Sequence, residues 1–263
     1  MKISRHSNYL SKWSNPSAKS NLVSDQITFS LGNRAGLRFL NYPMPMKAFI
    51  FDLDGTLIDS LADLAEAINL MLVDNGYPRQ PMEVFPRYIG DGVRSLVERA
   101  LPAEVLSTED LDARVQDYQR HYADTWNHET TPYVGIKEVL EELQNREIKL
   151  AVLSNKPQDF TKLCCDHFFP DTRFEAVFGA REGVPRKPHP AGALEICELL
   201  GVKPEECVYI GDSGIDMELA VNAGMFPAGV SWGFRGEAEL LAHGAKTIVR
   251  HPDDLLCLVA DFC

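Results

Sequence analysis

The feature that most constrains this chain is the stretch 47–59, KAFIFDLDGTLID, where a short apolar run ends on two carboxylates one residue apart and then on Gly-Thr. Neighbouring side chains of a strand point to opposite faces, so four consecutive apolar residues, Ala48 to Phe51, predict a strand covered on both sides. Asp52 then stands at the strand's carboxyl end, where open α/β sheets bind their ligands. Asp54 falls on the turn beyond it. Gly55 allows close backbone approach there, and the Thr56 hydroxyl is available to tie the loop. The plainer alternative is an ordinary strand followed by an Asx-rich turn.

A chain of 263 residues is long enough for one large domain or for a domain with a smaller insert, and two units are expected. Residues 1–45 hold six Lys/Arg and one acid, so the remainder carries 20 basic against 37 acidic residues, a formal charge of −17. Such a body repels nucleic acid and anionic membranes, and an anionic substrate would need a local positive centre: a metal ion or a few placed cations. The six cysteines, Cys164, Cys165, Cys197, Cys207, Cys257 and Cys263, show no CxxC spacing and are read as buried free thiols of a reducing, cytoplasmic setting. No apolar run approaches the ~18 residues of a membrane span. Residues 1–45 are rich in Ser, Asn and basic side chains and lack sustained periodicity before a weak stretch at 27–40. They are read as a disordered extension, with Met46 as a candidate natural start.

From Ser60 the pattern turns helical. Leu61, Leu64, Ala65, Ile68 and Leu72 recur at helical spacing, Ser60 with Asp63 suggests a cap, and Gly76 a stop. Val93, Leu96, Val97 and Ala100 form a second series and Leu111, Val115, Tyr118 and Tyr122 a third, so residues 60–131 are read as all-helical. Past Pro132 the periodicity predicts helices over 136–144, 157–167, 191–200, 215–223 and 237–243. These alternate with strands over 149–153, 176–179, 207–210, 228–230 and 247–249, and residues 253–258 continue the series. Alternation of that length implies an α/β fold with a parallel sheet and right-handed crossovers. Because the first strand precedes the helical block, residues 46–59 and 132–263 are expected to form the core and 60–131 an inserted cap, placed as a lid at the sheet's carboxyl edge.

Further polar groups follow strand ends in this reading: Ser154 and Asn155, the loop lysine Lys187, and the run 211–216, GDSGID. An acid nucleophile, a second acid, a hydroxyl, one cation and more carboxylates make an inventory for moving a phosphoryl group with Mg²⁺, for which Asp52, Asp212 and the Asp54 carbonyl suffice as ligands. Each has a plainer reading: Ser154 as a helix cap, Lys187 as a solvated lysine, Asp216 as an acid at a helix N-terminus. Lys156 is read as a surface residue, and His121, Trp126 and His128 as structural or solvated.

DLDGT at 52–56, LSNK at 153–156, Lys187-Pro188 and GDSGID at 211–216 resemble the four motifs of the haloacid dehalogenase-like hydrolase superfamily, in that family's order and over roughly residues 46–263. The resemblance implies a Rossmann-like core with an inserted helical cap and an aspartyl-phosphate intermediate. It makes Asp52 the nucleophile and a metal ligand, and Asp54 the acid/base that also lends Mg²⁺ its carbonyl. Ser154, Asn155 and Lys187 hold the phosphate, Asp212 is a metal ligand, and Asp216 orders the metal loop. The glycine-bearing loop at Gly90 and Gly92 is similar to one that dips toward substrate in this cap type, which makes Arg94 a candidate carboxylate reader, although an exposed helix arginine fits as well.

Several of the family's activities are excluded or disfavoured by particular residues. Dehalogenases do not need the acid Asp54. Phosphonatases of this architecture use a cap lysine, and residues 60–131 contain none. Mutases more often carry Val at the place of Thr56. Both acids are kept in mutases too, so mutases are disfavoured rather than excluded, and a phosphatase for a small phosphorylated substrate is the favoured activity. TPYVGIKEVLEEL at 131–143, LSNKP, the RKP loop and SWGFRGEAEL at 231–240 are similar to bacterial phosphoglycolate phosphatases, with pyrophosphatase, sugar-phosphate phosphatase or phosphomutase as alternatives. A phosphate-binding protein without catalysis would require a lost carboxylate, and none is missing.

Overall fold

The structure, a computed structural model, describes residues 46–102 and 108–259; the extension read over residues 1–45 lies outside them. The first strand, β1 (Ala48–Phe51), is fully buried and leads to a two-residue strand, β2 (Ile58–Asp59). Helices α1 (Leu61–Asp74), α2 (Val93–Ala100) and α3 (Thr108–Thr125) follow, with a 3₁₀ turn at Met82–Arg87. The chain returns through β3 (Thr131–Pro132), which pairs antiparallel with β2. This short ribbon carries the chain out to the helices and back, and the sequence reading missed it because two residues show no periodicity.

Beyond β3 the elements alternate: α4 (Ile136–Asn145), β4 (Lys149–Pro157), α5 (Gln158–Phe168), β5 (Ala176–Ala180), α6 (Ala191–Leu200), β6 (Cys207–Gly211), α7 (Gly214–Ala223), β7 (Phe226–Val230), α8 (Glu237–Ala242) and β8 (Thr247–Val249). The residues expected to continue the series at 253–258 form a 3₁₀ turn, Pro252–Leu258. The six long strands make one parallel sheet in the order β5-β4-β1-β6-β7-β8. Strand order therefore reverses around β1, the position at which doubly wound sheets open a crevice at their carboxyl ends.

Strand alternation explains the layers. Phe49, Phe51, Val152, Val208 and Ile210 pack against Ile136, Val139, Leu140 and Leu143 of α4 and against Cys164, Cys165 and Phe168 of α5. The intervening residues Ala48, Ile50, Ala151, Leu153 and Tyr209 face α6 and α7 on the other side. Burial on both faces favours the uninterrupted apolar runs from which the strands were read.

The helices between β2 and β3 have their own apolar cluster, including Leu64, Ile68, Met71, Leu72, Phe85, Leu96, Val97, Tyr118 and Tyr122. Helix α1 ends at Asn75, and Gly76 follows at φ +77°, a left-handed conformation that glycine adopts without strain. The expected cap at Ser60 is absent: its side chain makes no capping bond, and its hydroxyl donates to Asp54 instead. Asp63 is no cap partner either. It is buried, and its carboxylate accepts the Glu129 and Thr130 backbone N–H groups and the Thr130 hydroxyl at 2.6–3.1 Å, fastening the start of α1 to the segment entering β3.

Cys164, Cys165, Cys197 and Cys207 are buried and free, as expected. Cys257 is disulfide-bonded, so the free-thiol reading fails there; it sits partly exposed in the C-terminal 3₁₀ turn rather than in the core. No described helix is long and apolar enough to cross a membrane.

Candidate active site

Asp52 directly follows β1, Asp212 directly follows β6, Ser154, Asn155 and Lys156 lie in the last residues of β4, and Lys187 sits in the loop between β5 and α6. All are buried, and all but Lys187 line one cleft of about 690 Å³, including its open mouth, at the carboxyl edge of the sheet. Lys187 Nζ reaches Asp52 from below the cleft lining: it lies 2.8 Å from Asp52 Oδ1, 2.8 Å from Asp216 Oδ1 and 3.3 Å from the Tyr209 hydroxyl. That hydroxyl in turn donates to the Leu153 carbonyl at 2.8 Å. Apart from Arg94, the sequence-derived set is thus brought together, and Lys187 is no solvated surface lysine.

Asp52, Asp212 and Asp216 each present a carboxylate oxygen within 4.8 Å of the others. Lys187 neutralises one of these three charges, which leaves the cluster two negative charges in excess, the amount that one divalent cation removes. Burial, opposed by Lys187 and reinforced by Asp216, pushes the Asp52 carboxyl up to about 6. Burial, then Asp216 and Asp52, hold the Asp212 carboxyl well above its ordinary range despite the bond from the Phe234 N–H. The Lys187 ammonium is kept charged against burial by Asp216 and Asp52. The oxygen-rich donor set therefore suits a hard cation such as Mg²⁺.

Asp216 is already occupied on both sides: Oδ1 accepts Lys187, and Oδ2 accepts the Ser213 N–H at 3.1 Å and hydroxyl at 2.6 Å. That arrangement braces the loop bearing Asp212 and fits the loop-ordering reading better than direct ligation. Two glycines make room for Asp212. A Cβ on Gly55, where φ is +81°, or on Gly233 would collide with its side chain. Thr56 ties the loop differently than expected, since its carbonyl accepts the Trp232 indole N–H at 3.0 Å while its buried hydroxyl has no partner among the described residues.

Asn155 spends its side chain on backbone. Its Oδ1 accepts the Lys187 N–H at 3.0 Å, and its Nδ2 donates to the carbonyls of Gly90 and Lys187 at 3.0 and 3.3 Å. It thereby joins the Lys187 loop to the glycine loop of the helical block. Arg94 is not brought to the cleft. Its neighbour Val93 lines the cleft, while the Arg94 side chain is 44% exposed and pairs with Asp112 on α3. His121 pairs with Asp74 on the outside of the helices, in keeping with a structural reading.

The surface reading of Lys156 is overturned. Its side chain is 3% exposed, and its Nζ lies 2.9 and 3.1 Å from the two carboxylate oxygens of Asp54, with the Tyr122 ring centroid 4.7 Å away. The available signal was the length of the strand. Strand β4 runs on to Pro157, so Lys156 belongs with Ser154 and Asn155 to its buried end, beside the cleft. Ending the strand at Leu153 hid that relation.

With this geometry in view, the family model for haloacid dehalogenase-like hydrolases matches residues 49–230. The chain belongs to the haloacid dehalogenase-like hydrolases. Among its relatives in that family, a phosphoglycolate phosphatase of Psychrobacter arcticus is 36% identical over 197 residues, 73% of this chain and 86% of the relative. A phosphoglycolate phosphatase of Aquifex aeolicus is 34% identical over 214 residues, 81% of this chain and 97% of the relative. A crystal structure of a protein from Lactobacillus delbrueckii subsp. bulgaricus superposes with a TM-score of 0.78 at 32% identity, covering 83% of this chain and 100% of that one. The resemblance read from the four motifs is borne out, and the hydrolase family agrees with a site that gathers acids and two buried lysines at strand ends.

Proposed function

We propose that the chain is a Mg²⁺-dependent phosphatase that hydrolyses a small phosphate monoester, 2-phosphoglycolate foremost, through an aspartyl-phosphate on Asp52. The observation that carries the reading is the buried juxtaposition of Asp52 with Lys187 and Asp212 at the carboxyl ends of β1 and β6. Mg²⁺, held by Asp52, Asp212 and the Asp54 carbonyl, would screen the negative charge of attacking carboxylate and phosphate. Ser154 and Lys187 bind the phosphate, and Asn155 holds the Lys187 loop in place. A carboxylate oxygen of Asp52 forms a bond to phosphorus as the ester P–O bond breaks, and the leaving oxygen takes its proton from Asp54. Asp54 then accepts a proton from the water whose oxygen attacks phosphorus, and the Asp52–phosphorus bond breaks to release phosphate.

Residues 46–59 and 132–263 serve as the phosphatase core in this reading, and 60–131 as a cap over the cleft. The relatives named phosphoglycolate phosphatase support the substrate. Its carboxylate needs a donor within the cleft. Among the described residues the cations lining it are Lys156, held by both carboxylate oxygens of Asp54, and Arg235, whose pair with the half-exposed Glu239 is longer, at 3.7 Å, so Arg235 takes the role first considered for Arg94. The test is a panel of phosphoglycolate, hexose phosphates and pyrophosphate, assayed with Mg²⁺ and after chelation. The highest kcat/KM is expected for phosphoglycolate, with turnover lost on chelation. A higher value for pyrophosphate or a hexose phosphate would move the substrate while leaving a Mg²⁺ phosphohydrolase, and undiminished turnover in EDTA would remove the metal.

A further inference from the structure

Asp54 is the one acid of the cleft that stands apart from the buried triad of carboxylates, and its side chain is 12% exposed on the turn beyond β1. A carboxylate on a turn has rotamer freedom, yet a group that moves a proton to or from a reacting oxygen must sit within hydrogen-bond reach of it. Two side chains remove that freedom. Ser60, where the chain leaves for the helices, donates to Oδ1 at 2.6 Å. Lys156, on the far side of the turn at the end of β4, reaches both oxygens.

The lysine is itself tightly placed. It extends from a strand of the central sheet, its backbone N–H donates to the Ser154 hydroxyl at 3.3 Å, and its ammonium sits against the face of Tyr122 from α3. A buried ammonium that loses its partner is costly, so Asp54 and Lys156 fix one another. The aromatic contact with Tyr122 adds a smaller restraint.

We infer that Lys156 is a positioning residue for the reaction: by gripping both carboxylate oxygens of Asp54 it aims that side chain at the oxygen of the leaving alcohol. The inference rests on the phosphatase reading above and extends it to a residue outside the phosphate- and metal-binding set. Ester oxygens differ in how much they need a proton. An alkoxide leaves poorly without one, whereas a nitrophenolate leaves well unaided, so the cost of a misaimed Asp54 depends on the leaving group.

The test measures the first-turnover release of alcohol by Lys156→Met, which keeps the length of the side chain without its charge. With an alkyl phosphate the rate should fall by on the order of 100-fold with KM changed little, and with p-nitrophenyl phosphate only a few-fold. In an Asp54→Asn background, adding Lys156→Met should cost at most about twofold more, because the group it aims is already gone. A melting curve establishes that each variant is folded; if Lys156→Met does not fold, Lys156→Gln, which retains an amide donor, carries the same comparison with a smaller loss. Equal slowing of both leaving groups, or costs that add in the double variant, would overturn the inference while the phosphatase reading stood. A wild-type protein inactive on every monoester would sink both.

Discussion

The floor and the roof of the cleft are built on different principles. The floor comes from strand ends, and within it Asp52, Ser154, Asn155, Lys156, Lys187, Asp212 and Asp216 are all buried and bonded to one another or to backbone. The roof comes from the helices and is apolar, lined by Leu64, Ile89, Val93, Leu96, Tyr118 and Tyr122. A parallel sheet fixes its strand ends rigidly, so charges can be held a few ångströms apart. A helical insert joined by two short strands is free to present a shape. In the proposed function the difference would separate chemistry from selectivity, and each variant below is chosen to strain that division.

The largest effect belongs to the floor. Asp52→Asn should lower phosphatase turnover by roughly 10⁴-fold or more, since it removes the nucleophile. The melting temperature should not fall, because the variant takes one charge out of a cluster with excess negative charge. Steady-state hydrolysis and a thermal scan check both halves. Appreciable turnover would show that the floor does not supply the nucleophile.

The same crowded charge ties metal binding to pH. Asp52, with its carboxyl pushed up to about 6, keeps its proton below that pH in the metal-free protein, and Asp212 is raised as well. Each proton must leave before a cation binds, so Mg²⁺ affinity is full above the raised values. On going below 6 it should weaken by about tenfold per pH unit through the Asp52 proton alone. Calorimetry in two buffers of different ionisation heat would report the protons released, and an affinity constant from pH 5 to 8 would contradict the electrostatic account of the floor.

Asp63 tests the junction of floor and roof. Asp63→Ala strips the partner from three donors of Glu129 and Thr130, and the expected loss is roughly 3 kcal/mol of stability in denaturant unfolding. The activity of the folded fraction should change far less than in Asp52→Asn. An unchanged unfolding midpoint would mean that the clamp does not hold the junction.

Legibility in the sequence follows the same division. The buried strands were readable because they are apolar without interruption, and Asp52 and Asp212 because each falls directly after one. Lys187 was read as a phosphate ligand from the motif order, although its link to Asp216 needed the fold. Lys156 was misread because its role depends on β4 extending past Leu153, and Asp63 because its partners lie more than sixty residues away. A carboxylate beside a serine at a helix start suggests a local cap, and only tertiary structure reveals the distant donors. The disulfide at Cys257 carried no signal, as spacing alone does not pair cysteines.

Arg94 carries the smallest expected effect and bears on the roof most directly. The resemblance of the loop at Gly90 and Gly92 to one that dips toward substrate made it a candidate reader of the substrate's carboxylate, yet residue 93 turns toward the cleft and residue 94, about 100° further round the helix, does not. Its guanidinium pairs with Asp112, and both side chains are largely exposed, at 44% and 57%. Exposed pairs of this kind are worth about 0.2–1 kcal/mol and are screened by salt. Arg94→Ala should therefore leave kcat/KM for phosphoglycolate within about twofold of wild type and cost no more than that in stability. Arg235, which lines the cleft and donates to the Ile89 carbonyl at 3.2 Å, should behave otherwise: Arg235→Ala should lower kcat/KM for the carboxylate-bearing substrate by about tenfold or more relative to a neutral alkyl phosphate, the cost of one lost charge-assisted hydrogen bond. A selective loss in Arg94→Ala and none in Arg235→Ala would reverse the assignment, and would require the roof to turn α2 inward when substrate binds.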